Sequence, residues 1–306
     1  MNETTKSKLL LALSAVFLGT VGVIRRYVVF SSEYIAFARG VIGTLFLTLY
    51  MVITGKKADF SKVKKKLPLL IISGILISAN WMLLFESYRY GSIITTTLCS
   101  YMAPMFVIIV STVFFKEKIE LKKTVCIIIA IIGILPVSGL FDAGTKFDGT
   151  SEIKGAVLAL CAAAVYAAVL LINKRLTDIE ACDRTVFQLG TAAVVMLPYI
   201  LIVKNISSLN LSRDFLTSKP VILSFVLVAV LGVIHTGLTY TMYFSSLKNL
   251  SSQTIAILCY IDPIVAIALS ALILRESLTP LKIVGAVLVL GATLVSELEF
   301  KKKAKQ

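Results

Sequence analysis

Residues 87–117, SYRYGSIITTTLCSYMAPMFVIIVSTVFFKE, and residues 246–276, SLKNLSSQTIAILCYIDPIVAIALSALILRE, are two versions of one segment. At a fixed offset of 159 residues, Ser87 falls on Ser246, Arg89 on Lys248, Ser92 on Ser251, Thr95 on Thr254, Tyr101 on Tyr260, Pro104 on Pro263 and Glu117 on Glu276. Apolar stretches share Leu, Ile and Val by composition alone, whereas polar, aromatic and Pro residues recurring at one offset do not arise that way. The alignment runs from Ser87–Leu135 onto Ser246–Leu294, and looser echoes extend it backwards: LAL at 11–13 returns at 158–160, and Phe37-x-x-Gly40 at Phe187-x-x-Gly190. The chain is one unit used twice.

The surroundings of that repeat say what the unit is. Of 306 residues, 58% are hydrophobic and 16% charged, against about 45–50% and about 25% in a soluble chain. That excludes a soluble globular enzyme and makes lipid the solvent. A bilayer core about 30 Å thick takes roughly 20 helical residues, and an open sheet cannot satisfy its backbone there. Ten stretches fit, at 9–29, 34–54, 67–88, 93–115, 123–141, 155–173, 185–203, 221–245, 253–274 and 280–298. The expected fold is an all-α integral membrane protein. Its units are 1–141 and 154–298, five helices each, and because five is odd the second enters the membrane from the opposite side. Inverted repeats of this kind build secondary transporters. The connections 142–154 and 204–220 read as surface loops, and the basic, apolar N-terminus reads as a retained first helix.

Charge fixes the expected orientation. Of the 31 Lys and Arg, 20 fall on the side of the N-terminus, 10 on the other, and Arg39 lies inside a span. The positive-inside rule then places both termini in the cytoplasm and the protein in the plasma membrane. The net charge of +14 is therefore a topology signal rather than a nucleic-acid footprint. Five Cys form no CxxC or Cys/His pattern, so neither a disulfide framework nor a metal site is expected.

Asn80, Ser87-x-Arg89, Tyr101-x-x-Pro104 and Glu117, echoed by Ser246-x-Lys248, Tyr260-x-Asp262-Pro263 and Glu276, resemble the drug/metabolite transporter superfamily in its ten-helix EamA-type branch. The resemblance covers nearly the whole chain. It implies a cavity between the halves, alternating access, and a substrate path near the prolines of helices four and nine. Glu86 departs from the aromatic or apolar residue more usual there.

Residues that are costly in lipid are the candidate site. Pro104 and Pro263 lack an N–H and free carbonyls at Ser100 and Cys259, so they are expected hinges. Asp262 sits near mid-span, where a carboxylate costs about 2.5–3.5 kcal/mol on insertion scales and must face a cavity or a partner. His235, at similar depth, is expected either to share that cavity as substrate contact or proton relay, or to bond a neighbouring backbone group. Arg39 lies roughly 9 Å inside the end of helix two, and Glu86 at comparable depth could pair with it as gate or clamp. Arg25 and Arg26 are expected to snorkel. Trp81, Phe85, Tyr88, Tyr101, Tyr166, Tyr240, Tyr243 and Tyr260 are candidate lining aromatics, with Tyr101 and Tyr260 set apart because they precede the prolines; Asn80 is polar near midplane. Glu117 and Glu276 read as structural, paired with Lys118 or Arg275. Helices five and ten, almost without a polar face, belong at the periphery.

The function expected is secondary transport of a small amphiphilic metabolite, an amino acid or related compound, in the direction of export. Protons are a candidate coupling ion, and no cofactor is called for. Uptake of a cationic or quaternary-amine solute and flipping of a lipid-linked group are the alternatives. No P-loop encodes ATP drive, and one His with one mid-span Asp is too little for an intramembrane enzyme. Expected partners are the substrate, protons and lipid; oligomeric state stays open.

Overall fold

The computed structural model describes residues 2–56, 58–116, 119–138, 149–203, 218–247 and 249–298. Glu117, Lys118, Lys248 and most of the two long connections lie outside them. The first pass is α1 (Glu3–Gly19) followed by α2 (Val21–Tyr27), and the second is α3 (Ser32–Ile53). A short α4 (Phe60–Lys65) leads to α5 (Leu67–Tyr90); the fourth pass is α6 (Ile93–Ser100) plus α7 (Ala103–Phe115), and α8 (Leu121–Val137) is the fifth. The second half runs through α9 (Gly149–Asn173), α10 (Ala181–Val203), and α11 (Lys219–Gly232), which continues by a π-helical turn (Val233–Leu238) into α12 (Thr239–Leu247). It ends with α13 (Ser252–Cys259), α14 (Ile261–Ile273) and α15 (Pro280–Glu297).

Among the described residues eight of these passes are long and apolar enough to cross a membrane, and Ile257–Ile273 is a shorter apolar helix. The 17 residues of α8 span about 25 Å at 1.5 Å each, so all ten expected passes are helical. Their outer faces are apolar: Val52, Leu272 and Ile202 are 71%, 77% and 79% exposed, an arrangement suited to hydrocarbon.

Three helix pairs dominate the packing: α5 on α9, α8 on α15, and α3 on α10. The last two join counterparts from the two halves. Small residues allow the close approach expected in lipid: a methyl added to Gly155 of α9 would sit 2.5 Å from the Gly91 backbone, and Ala159, Ala162, Ala163 and Ala167 are sealed in the same helix.

Two expected boundaries are corrected. The first helix starts at Glu3, where the Asn2 side chain accepts the Thr4 N–H at 3.4 Å. Residues 149–154, read as loop, belong to α9, because Glu152 is anchored inside the bundle as described below.

Candidate functional site

The repeated residues act at the ends of half-helices. Ser92 and Ser251 are N-caps, each accepting the backbone N–H three residues on, from Thr95 at 3.1 Å and Thr254 at 3.3 Å. Such a cap is worth about 1 kcal/mol. Each half-helix then stops at Tyr101 or Tyr260, and the next begins with Pro104 or Pro263 in its first turn. At a helix start the missing N–H of Pro costs no bond. The expected hinge positions are therefore short interruptions, two residues long at Tyr101 and one at Tyr260, whose backbone stays near helical.

Two more passes are interrupted at the same level. The first breaks at Thr20, between α1 and α2, and the eighth widens into the π turn, where the Thr236 hydroxyl donates to the Leu231 carbonyl at 3.0 Å. The four interruptions meet. The Tyr101 hydroxyl donates to Asp262 Oδ2 at 2.7 Å and approaches the Cys259 carbonyl at 3.3 Å, so the oxygen expected to be freed at Cys259 is met by Tyr101. The rings of Tyr101 and Tyr260 lie 5.9 Å apart. Thr20 Oγ1 is 2.7 Å from His235 Nε2, and His235 Nδ1 is 3.2 Å from the Val230 carbonyl; a carbonyl only accepts, so Nδ1 carries a proton. A methyl on Gly19 would lie 2.6 Å from the Asp262 carbonyl oxygen. Asp262 and His235 thus stand at consecutive residues of the first pass, Gly19 and Thr20, each bonded to a different side chain rather than to the other.

The expected Arg39–Glu86 pair is not formed. Arg39 reaches Thr236 Oγ1 through Nε at 3.0 Å and lies over Trp81, 4.5 Å from Cζ to the ring centre, with Phe85 at 5.5 Å. Glu86 accepts from Ser32 at 2.8 Å and pairs with Arg89 at 3.4 Å. Arg39 points along α5 toward the aromatic residues, whereas Glu86 lies at the helix end where Ser32 and Arg89 stand. Asn80 donates to the Ala162 carbonyl at 2.8 Å, tying α5 to α9. Tyr166 is 43% exposed; Tyr243 meets Phe244 edge to face at 5.7 Å, and Tyr240 lies 5.9 Å from the same ring.

At the end of the bundle bearing Gly91, two carboxylates close the passes together. Glu276 accepts from the backbone N–H of Ile93 at 2.9 Å, from Ser270 at 2.7 Å and from Arg26 at 3.3 Å. Its expected partner Arg275 is replaced by Arg26, because the acid caps α6 from another pass, where the helix dipole favours it. Arg26 also donates to the Gly91 carbonyl at 2.6 Å, and Arg25 is 7% exposed and donates to the Val28 carbonyl at 3.0 Å; neither snorkels. Glu152 accepts from the Ser92 N–H at 2.8 Å and from the Ser92 and Thr95 hydroxyls, with Lys282 Nζ at 3.8 Å. Sequence reasoning missed Thr20, Thr236, Glu152 and Lys282. The only signals were a Gly-Thr pair inside an apolar run and a charge at the edge of each of two spans.

The EamA-like transporter family matches the chain twice, over residues 5–139 and 153–297. An uncharacterized transporter, YxxF, of Bacillus subtilis is 26% identical over 261 residues, 85% of this chain and 79% of that protein. A Salmonella typhimurium protein named "Probable amino-acid metabolite efflux pump" is 24% identical over 253 residues, 80% and 82% of the two chains. One solved structure superposes with a TM-score of 0.61 at 14% identity, covering 94% of this chain and 96% of that one, which speaks to the fold.

Proposed function

The chain belongs to the EamA-like transporter family, and from that premise we propose that it is a secondary active transporter exporting a small amphiphilic metabolite, an amino acid or related compound, by alternating access. The observation that carries this reading is the meeting of four interrupted helices around Asp262 and Tyr101. Discontinuous helices expose backbone groups at depth, where substrates and coupling ions bind. The name of the Salmonella typhimurium relative supports the substrate class. In this reading Asp262, Tyr101, Tyr260, Tyr166 and Tyr243 contact substrate, Pro104 and Pro263 mark the hinges, and His235 serves the first pass through Thr20. The protein works in the plasma membrane with both termini in the cytoplasm. Asp262 among tyrosines also suits an ammonium group, which keeps uptake of a cationic solute as the second reading.

The test is purified protein in liposomes challenged with amino acids, quaternary amines and lipid-linked sugars, with and without a pH gradient. Movement of amino acids that stops in Asp262→Asn supports the reading. Lipid scrambling without solute transport refutes it, and a rate indifferent to the pH gradient removes protons as the coupling ion.

A further inference from the structure

Arg39 carries a charge that its surroundings hold but do not neutralise. The residue is 4% exposed. Among the described residues its guanidinium makes a single hydrogen bond, from Nε to Thr236, and no ion pair with a carboxylate. Trp81 and Phe85 offer ring faces, an attraction of about 0.5–2 kcal/mol. That does not replace the hydrogen bonds of four remaining N–H groups in a medium where charged groups are normally paired. Other unbonded guanidinium atoms, Arg25 Nε and Arg184 Nε, are sealed on all sides. The terminal nitrogens of Arg39 are not, so the exposure it keeps is at its donors.

The holder is specific too. Thr236 lies in the π turn and gives its proton to Leu231, which leaves its lone pairs for Arg39; π turns inside helices concentrate at functional sites. Trp81, Phe85 and Tyr88, four and three residues apart, form one buried face of α5. Thr236 adjoins His235, whose ring nitrogen meets Thr20, and the neighbouring Gly19 packs on the Asp262 backbone, so the two opposite charges meet the same interrupted passes, each held by a different side chain.

We propose that Arg39 binds the carboxylate of the transported solute through its terminal nitrogens, while Asp262 receives the ammonium group. This rests on the transporter reading above and names the zwitterion as its substrate class. The guanidinium fork matches a carboxylate in two parallel hydrogen bonds. A phosphate, the other anion it fits, would bring a second negative charge, and the groups that hold Arg39, Thr236 and the rings of Trp81 and Phe85, supply no second cation.

Trp81 is the only Trp in the chain, so its emission reports on this site. The full-length protein in detergent is titrated with a panel of aliphatic and polar amino acids, following Trp81 emission and melting temperature together. For each amino acid that binds, its amide and its decarboxylated amine are compared. The expected result is a Trp81 response with the amide bound at least about tenfold more weakly, a preference reduced to about twofold or less in Arg39→Gln and intermediate in Arg39→Lys. Inorganic phosphate does not compete. Equal binding of acid and amide, a preference kept in Arg39→Gln, or displacement by phosphate overturns the Arg39 assignment and leaves the transporter reading standing. Should Arg39→Gln not fold, the acid–amide comparison on the native protein decides. Binding of no amino acid, with transport of some other solute, overturns both.

Discussion

Tyr101 and Asp262 share a hydrogen bond of 2.7 Å, and a bond to a charged group contributes about 1.5–3 kcal/mol. Tyr101→Phe keeps the ring against Tyr260 and removes only the donor. Transport in liposomes is expected to fall about tenfold or more with the melting temperature lowered by a few degrees; full activity in this variant would remove Tyr101 from the site. Gly19→Ala acts by volume instead. Its methyl would meet the Asp262 backbone at 2.6 Å and Val265 at 2.8 Å, and backbone cannot rotate away. A loss of about 1–3 kcal/mol is expected, read as a lowered denaturant midpoint, and a midpoint equal to the native one would mean that the two passes are not held this close. At this scale Asp262 and Arg39 were legible in the sequence, because an isolated charge in an apolar run has to be accounted for. Their partners were not. Thr20 and Thr236 look like ordinary helical threonines, whose hydroxyls usually bond their own backbone, and only the fold shows which of them face a ring nitrogen or a guanidinium.

Half-helices are the element through which the repeat acts. Sequence matching picked out Ser92, Thr95, Tyr101 and Pro104 with their counterparts as special, and the structure gives each a place: cap, capped N–H, break and restart. A hinge was the natural reading of the prolines, since each lacks an N–H; the interruption also needs the preceding turn to close on Tyr101 or Tyr260, which no local propensity reports. The π turn of the eighth pass was illegible for the same reason. Glu276 was readable as a helix-terminal acid but not as the cap of a helix 183 residues away in sequence. Glu276→Gln keeps the shape and removes the charge that Arg26 and the α6 terminus share. A destabilisation of about 1–2 kcal/mol is expected, measured as a shift in melting temperature, and it should shrink when Arg26 is already Gln. Additive losses in the double variant would show that the two residues act independently.

For the whole molecule, lipid as solvent, ten passes and the likeness of the halves were all decided by composition and the repeat, since each depends on sums over many residues rather than on one contact. Orientation depends on such a sum as well. The basic residues around α4 stay near the surface, where Lys56 pairs with Glu180 at 3.3 Å and Lys66 with Asp178 at 3.9 Å, both with partners from the connection between α9 and α10. These exposed pairs contribute about 0–1 kcal/mol each, too little to explain why so many Lys gather there, whereas an excess of Lys and Arg is what the positive-inside rule expects of a cytoplasmic loop. Ser61 at this end and Val29 at the other are both exposed. In a background lacking the five native Cys, Ser61→Cys should react with a membrane-impermeant maleimide only in inside-out vesicles, and Val29→Cys only in intact cells. The reverse pattern would mean that a surplus of basic residues at two to one does not govern how this chain inserts, and that the Arg26–Glu276 pair faces the cytoplasm.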